Sequence, residues 1–328
     1  MPADLETLAS ATGDGESAET VRTRAEKVLR PKGALGRLDE IAVWLARWQG
    51  TDQPAVETPA ALIFAGDHGV AVEGVSAYPQ SVTRAMIQAL QSGIATASVM
   101  AERLGARFSV VDVGKGVPCG NIRNEAALSV EQFDEAIAVG RSAVEGIGDV
   151  DLLVPGEVGI GNTTAAAAIA TALLGGDAAD WVGPGTGLDA VGLANKIAVV
   201  RDAVARAEIA GPIDAIRELG GWELAAMAGA VVEARARSIP VLLDGFVVTS
   251  AVLPFELAHP GFLEHCWPAH VSAEPGHRRL VARLGRRPIL DLEMRLGEGS
   301  GALAAVPLVA LAADSVVRVA TFEEVGLT

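Results

Sequence analysis

The chain has 328 residues, of which half are hydrophobic but only 4% are aromatic, and its formal net charge is −15. This length is enough to bury a large core, and the aliphatic composition suits closely packed helices on a sheet. An acidic chain without a basic cluster is a poor candidate for nucleic-acid binding and would be repelled by anionic membranes.

The two cysteines, Cys119 and Cys266, lie far apart and form no CxxC pattern, which disfavours both a disulfide scaffold and a zinc ribbon. The polar, acidic N-terminal segment is not typical of a signal peptide. The apolar run at 301–313 is too short to span a bilayer, and Pro307 interrupts it. We therefore expect a soluble, cytoplasmic protein.

Helical and strand patterns follow one another along the chain. Residues 1 to about 20 are predicted to be a loose, acidic lead-in, and "LGRLDEIAVWLARWQG" has apolar residues at helical spacing. Apolar strand-like runs then end near Asp67, Asp112, Glu157 and Asp244, and the segment "RPILDLEMRLGEG" leads towards Glu298. Alanine-rich helical stretches, such as 163–174 and 188–207, separate the runs. This alternation predicts an α/β fold with a parallel sheet.

In such a sheet the ligand crevice lies beyond the carboxyl ends of the strands, where these polar residues fall. Helices at both chain ends lie outside the alternating region. We therefore expect three parts: residues 1–55 as the first half of a small helical domain, 56–298 as the large α/β catalytic domain, and 299–328 as the C-terminal segment that completes the small domain.

The stretch "GEVGIGNTTAAAAIA" is the clearest local signal. Gly159 and Gly161 free the backbone, polar residues from Asn162 to Thr164 follow, and an alanine-rich helix begins. This pattern is typical of a phosphate site at a helix N-terminus, although an ordinary strand-to-helix turn has the same features.

A second glycine turn, "GPGTGLDAVGLANK", is not the GxGxxG dinucleotide fingerprint. Thr186 is able to donate to an anion, and Lys196 is either a phosphate contact or a solvated surface lysine. The chain has neither a Walker A motif nor the paired aspartates of diphosphate-using phosphoribosyltransferases. A magnesium diphosphate site is therefore not indicated.

Two carboxylates stand beside glycines. Glu298 lies between glycines in "LGEGSG", where burial would raise its pKa and make it a proton acceptor, or where it would simply cap the helix that follows. Glu157 precedes the first glycine loop and would suit a positive centre that forms on a sugar carbon.

Histidines and carboxylates of "GDHG" and "AHVSAEPGH" suggest a metal site, but their spacing fits no zinc signature. A metal-dependent phosphohydrolase built on Asp67, His68, His270 and His277 stays an alternative. We expect these residues to act as hydrogen-bonding or capping groups, and we predict neither a metal nor a cofactor.

Taken together, the motifs resemble those of the nicotinate-nucleotide–dimethylbenzimidazole phosphoribosyltransferase family of the cobalamin pathway. The resemblance spans about residues 32–308 and includes, in order, "PKGALGRLDEIA", "FAGDHGV", "SAYPQSVT", "GEVGIGNTTAAAA", "GPGTGLD", "GGWELAAMAGA", "LLDGFVVTSA" and "LGEGSGA".

The resemblance implies a homodimer with a Rossmann-like parallel sheet and a small helical domain built from both chain ends. It also implies transfer of phosphoribose from nicotinate mononucleotide to 5,6-dimethylbenzimidazole, with inversion from β to α. Glu298 matches the family's catalytic glutamate, and Glu157 matches its other acidic position. The implied donor-binding residues are Gly159, Ile160, Gly161, Asn162, Thr163, Gly185, Thr186, Lys196 and Asp244. The implied base-binding residues are Ser76, Tyr78, Gln80 and Leu296.

The chain departs from the family pattern at Pro184, where many relatives carry arginine, and in a shortened segment after "VDVG". The residues around "SAYPQSVTRAM" vary in the family. Another benzimidazole, adenine or a phenol therefore stays an alternative acceptor, and a catalytically silent nucleotide-binding relative is the remaining alternative.

Overall fold

A five-stranded parallel sheet forms the centre of residues 12–327, which are the part of the chain that this computed structural model describes. The strands are β1 (Pro59–Ala65), β2 (Arg107–Asp112), β3 (Leu152–Val158), β4 (Val241–Leu243) and β5 (Cys266–Pro268). Their order across the sheet is β2-β1-β3-β4-β5. In this doubly wound order the chain changes direction between β1 and β3, so a crevice opens at the carboxyl ends of those two strands.

Helices connect the strands and cover both faces of the sheet. They are α1 (Gly15–Ala25), α2 (Arg37–Gln49), α3 (Ser81–Gln91), α4 (Thr96–Leu104), α5 (Val130–Gly146), α6 (Asn162–Leu174), α7 (Ala190–Arg206), α8 (Asp214–Leu219), α9 (Trp222–Ala236), α10 (Phe246–Ala258), α11 (Pro275–Arg283) and α12 (Ser300–Val317). Short 3₁₀ turns occupy Gly69–Glu73, Ala178–Asp180 and Phe262–His265.

The sheet separates two hydrophobic cores. Along β1, Leu62 and Phe64 belong to one core, whereas Ala61 and Ile63 belong to the other. Every residue of β1 is buried. Because successive side chains of a strand point to opposite faces, a strand that is covered on both faces reads as a continuous apolar run.

The two chain ends pack together on one face of the sheet. α1, α2 and α12 contact one another, and a β-bridge joins Val28 to Thr321. Leu45 of α2 and Val309 of α12 share a hydrophobic core with this face of β1 and β3. This packing supports a small helical unit made from both ends, and the boundaries at residues 55 and 298 stay a prediction.

α12 is longer than its sequence pattern indicated, because the helix continues through Pro307. By length and composition it is able to cross a bilayer, but 56% of it is buried inside the protein, as is usual for a core helix.

The α/β class and the predicted strand ends are confirmed. The prediction of a loose lead-in to about residue 20 is wrong from Gly15 onwards, because Asp14 caps α1 by accepting a hydrogen bond from the Glu16 N–H. The earlier part of that lead-in, residues 1–11, lies outside the described residues. The sequence pattern did not indicate β5, which has only three residues.

Candidate active site

A cavity of about 410 Å³ opens at the carboxyl edge of the sheet. It is bounded by the loop after β3, by the second glycine turn, by the segment that leads into α3, and by the turn before α12. The predicted site residues that line it are Ser76, Tyr78, Glu157, Gly159, Ile160, Gly161, Asn162, Thr163, Gly185, Thr186, Leu296 and Glu298. The fold therefore brings together residues from four separate segments.

The turn that carries Glu298 has an unusual backbone. Gly297, Glu298 and Gly299 all have left-handed conformations, with φ of 85°, 60° and 74°. A residue with a side chain costs about 1–2 kcal/mol in this region, and such strain is typical of functional positions. The Glu298 N–H donates a hydrogen bond to the carbonyl oxygen of Glu157 at 3.1 Å, which ties the turn to the end of β3.

The Glu298 carboxylate points to a helix other than the one that follows it in sequence. Its Oε2 lies 3.5 Å from the Ala97 backbone nitrogen, in the first turn of α4. α12 begins after Gly299 without a side-chain cap. The alternative that Glu298 merely caps the following helix therefore finds no support.

Burial raises the pKa of Glu298. The side chain lines the cavity although the residue is only 5% exposed. The charge of Asp244 raises the pKa further, whereas the Ala97 N–H opposes the shift. A carboxylate with a raised pKa is a stronger proton acceptor once it is ionised.

Glu157 lies next to this turn and is also electrostatically strained. Burial, followed by the charge of Asp244, raises its pKa well above the ordinary value, while a hydrogen bond from the Asn162 side chain opposes this. A Cβ atom on Gly297 would overlap Glu157 Oε1, so the carboxylate packs directly against the turn that carries Glu298.

Lys196 does not line the cavity. It is fully buried beneath the glycine loops, where its Nζ donates to Thr163 Oγ1 at 2.7 Å and to the Gly183 carbonyl at 3.2 Å. Burial lowers its pKa to about 8, and the charge of Glu274 partly opposes this. Lys196 therefore supports the two loops that would hold a phosphate.

Asp244 and Gln80 also lie outside the cavity lining. Asp244 is buried behind it and accepts a hydrogen bond from the Ala302 N–H at 2.9 Å, which holds the start of α12. Its Oδ1 also lies 3.4 Å from Nε2 of His270. Gln80 immediately precedes α3, and its buried Nε2 has no hydrogen-bond partner among residues 12–327.

The sequence interpretation left several cavity residues without a binding role. They are Val75, Val82, Met86, Val158, Gly245, Phe246, Val247, His270, Ser272, Glu274, Arg295 and Gly297. Val82 and Met86 lie four residues apart on α3 and so share a helix face, which was a detectable signal.

Glu274 and Arg295 both hold the second glycine turn. Glu274 Oε1 accepts from the Gly185 N–H, and Arg295 Nη1 donates to the Gly185 carbonyl, each at 3.1 Å. Among the described residues, Arg295 is the one arginine or lysine that lines the cavity. It directly precedes Leu296, but its long reach to Gly185 is not visible in the sequence.

A buried ion pair lies beneath the first glycine loop. His68 Nε2 is 2.6 Å from Glu223 Oε1, and both side chains are fully buried. Burial alone would lower the pKa of His68, but the Glu223 charge outweighs it and raises that pKa. A Cβ atom on Gly159 would lie 2.8 Å from the same oxygen, so the pair directly supports this loop.

The three histidines considered for a metal site have other partners. His277 Nδ1 accepts from the Ser272 N–H at 2.9 Å, and burial lowers the pKa of His277 to about 3. Within residues 12–327, no group of three or more His, Cys, Asp and Glu side chains is arranged to hold a metal ion.

Comparison with known proteins gives consistent matches. A family described as "Phosphoribosyltransferase" (DBI_PRT) matches residues 11–327. The nicotinate-nucleotide–dimethylbenzimidazole phosphoribosyltransferase of Methylorubrum extorquens is 46% identical over 96% of this chain and 92% of its own length. The protein of the same name from Mesorhizobium japonicum is also 46% identical, over 96% of this chain and 94% of its own length.

Solved structures agree with this result. A crystal structure of CobT from Thermus thermophilus matches with a TM-score of 0.90 and 39% identity, and covers 95% of this chain and 99% of its own. A second structure from that organism, of a nicotinate-nucleotide–dimethylbenzimidazole phosphoribosyltransferase, has a TM-score of 0.89 and 38% identity, over 96% and 99% of the two chains. The chain described here belongs to the nicotinate-nucleotide–dimethylbenzimidazole phosphoribosyltransferase family.

Proposed function

We propose that the protein transfers the phosphoribosyl group of nicotinate mononucleotide to 5,6-dimethylbenzimidazole in cobalamin assembly. The products are α-ribazole 5′-phosphate and nicotinate. The observation that carries the proposal is the position of Glu298, a buried carboxylate with a raised pKa on a strained turn, in a cavity whose other wall consists of two glycine loops. The names of the relatives support both substrates.

The glycine loops hold the donor phosphate. Gly161 leads directly into α6, so the free N–H groups of the first helical turn and the positive end of the helix dipole favour an anion there. Lys196 acts through Thr163 and the Gly183 carbonyl rather than by lying in the cavity. Arg295 supplies positive charge at the second turn.

The acceptor base lies on the apolar side of the cavity, beside Val82, Met86 and Leu296. Ser76 and Tyr78 flank this surface, and Ser76 Oγ lies 3.0 Å from Thr186 Oγ1. That contact joins the base-binding segment to the second glycine turn.

In the reaction, one benzimidazole nitrogen forms a bond to the sugar C1′ from the face opposite the pyridinium. The bond from C1′ to the pyridinium nitrogen breaks, and its electron pair neutralises that ring as nicotinate leaves. Glu298 accepts the proton from the second benzimidazole nitrogen. Glu157 in its ionised form stabilises the positive charge that develops on the sugar, because a fixed carboxylate in a shielded site favours an adjacent cation, and that cation in turn favours ionisation of Glu157.

We also propose a cytoplasmic homodimer. Cys119 and Cys266 are both free and buried, which suits a reducing compartment. The exposed apolar side chains Val72 and Val191 suit a surface that a second copy covers.

The direct test mixes purified protein with nicotinate mononucleotide and 5,6-dimethylbenzimidazole, without added metal, and separates the products by chromatography. We expect base-dependent release of nicotinate together with α-ribazole 5′-phosphate. Release of nicotinate with adenine or a phenol, but not with 5,6-dimethylbenzimidazole, would replace the proposed acceptor and leave the proposed phosphoribosyl transfer in place. No release with any base would refute the proposal.

A further inference from the structure

A second cavity, of about 580 Å³, shares no lining residue with the active site. It lies where the start of α2 meets the end of α11 and the segment that follows it. Four arginines and a single carboxylate line it: Arg37, Arg278, Arg286, Arg287 and Asp291. In a chain with a net charge of −15, this surface departs from the expectation that there is no basic cluster.

Backbone carbonyls hold two of these arginines in place. Arg37 Nη2 donates to the carbonyl oxygens of Arg287 and Pro288, at 2.8 Å and 2.7 Å. Arg286 Nη1 donates to the Cys266 carbonyl at 3.1 Å. A carbonyl satisfies an N–H group but carries no net charge, so both guanidinium groups keep their full positive charge in the cavity wall.

The cluster also has unused hydrogen-bonding capacity. The buried Nε of Arg37 has no hydrogen-bond partner in residues 12–327. The Arg287 side chain makes neither a hydrogen bond nor an ion pair within that same range. Burial and the nearby charge of Arg287 lower the pKa of Arg37. The nearby carboxylate of Glu40 opposes this shift without cancelling it, so repulsion between the two guanidinium groups is not fully compensated.

Compensation of a helix dipole does not account for this arrangement. Arginines near the C-terminus of α11 would favour its negative end, and Arg278 already pairs with Asp291 at 3.0 Å. Arg37, however, belongs to α2, which begins on the other side of the cavity. A ligand with several acceptor oxygens would satisfy both sides at once.

We propose that this cavity binds a phosphorylated small molecule. Guanidinium groups match phosphoryl oxygens with paired, charge-assisted hydrogen bonds. Val271, Val281 and Ile289 supply an apolar wall for the remainder of the ligand. The bound anion joins α2 to the segment after α11, so it stabilises the folded chain in proportion to its occupancy.

The test is a calorimetric titration of the whole protein with inorganic diphosphate at low ionic strength. Arg287→Ala removes one charge but no hydrogen bond or ion pair within residues 12–327. Arg283→Ala is the matched control, because Arg283 is also exposed, makes no hydrogen bond or ion pair in the described region, and does not line the cavity. Trp267 is a local reporter, since its Nε1 donates to the Arg287 carbonyl at 3.1 Å.

We expect Arg287→Ala to weaken diphosphate binding at this cavity about tenfold or more, as loss of a charged hydrogen bond implies. Arg283→Ala should leave that binding within about twofold of wild type. Binding at this cavity should also change the fluorescence of Trp267, and Trp267→Phe should remove this signal. Equal effects of the two arginine variants, or none, would overturn the proposal. Much tighter binding of a single-stranded oligonucleotide than of diphosphate would overturn the small-molecule assignment.

Discussion

Gly156 provides the sharpest structural test of how Glu298 is positioned. This glycine lies in β3, and its α-carbon faces the turn before α12. A Cβ atom placed there would lie 2.5 Å from the Gly299 backbone nitrogen and 2.6 Å from the Glu298 carbonyl carbon. Ordinary contacts begin near 3.4 Å, so the substitution Gly156→Ala must move the turn by about 1 Å. These two nearest atoms belong to the backbone, so a rotamer change relieves only the third overlap, with Cδ1 of Ile63 at 2.7 Å.

A displacement of this size has a calculable consequence. Misplacing a catalytic group by about 1 Å costs about 100-fold in rate, and overpacking a core costs about 1–3 kcal/mol of stability. We therefore expect kcat of Gly156→Ala to fall about 100-fold, as measured by steady-state release of nicotinate. Thermal unfolding, recorded in parallel, should show a folded protein with a lower Tm.

Gly146→Ala is the matched control. Gly146 ends α5, and a Cβ atom there would meet nothing within 4 Å. We expect unchanged turnover and a stability that is equal or up to about 1 kcal/mol higher, because alanine loses less backbone entropy in a helix. Wild-type turnover in Gly156→Ala would refute the reasoning, since the turn would then not need its observed position.

The remaining predictions concern the charged groups of the site. Lys196→Ala should raise the donor KM about tenfold, while the exposed control Lys115→Ala should leave it unchanged. Because burial lowers the pKa of Lys196 to about 8, the affinity of the wild-type protein for the donor should fall as pH rises through 8. Arg295→Ala should raise the donor KM with little effect on the base KM, and equal increases in both would contradict its assignment. The pKa of Glu157 is higher in the folded protein than the value of 4.5 in the unfolded chain. Ionisation of Glu157 therefore lowers the free energy of unfolding as pH rises above 4.5. Glu157→Gln should therefore have a higher Tm than wild type at pH 8, and the difference should shrink towards pH 4.5; a pH-independent difference would contradict this.

The ends of the strands were predictable because burial on both faces leaves a strong pattern. The residues of β1 form an unbroken apolar run that stops at "GDHG". The apolar start of β3, "LLV", is followed by Pro155, Gly156 and Glu157 before the strand ends at Val158. Parallel strands bring such ends to one edge, so the position of the cavity followed from the sequence. β5 was missed because its three residues, "CWP", lack the aliphatic run that marks the equally short β4.

The buried support of the site was not predictable. Lys196 has the spacing of a surface lysine on α7, and only the tertiary packing of the two glycine loops buries it. The pairing of His68 with Glu223 joins residues 155 positions apart, which no local pattern encodes. The basic cluster depends on Arg37, which contacts residues 250 positions later. Long-range contacts of charged groups are therefore where sequence reasoning failed.

The central claim is that Glu298 accepts a proton from the acceptor base, and one measurement tests it most directly. Glu298→Gln keeps the size of the side chain and removes its basicity, so kcat should be compared at saturating donor while donor affinity is measured separately by calorimetry. The account predicts a fall in kcat of about 10²–10⁴-fold with donor affinity within about threefold of wild type. Wild-type kcat in Glu298→Gln would contradict the account.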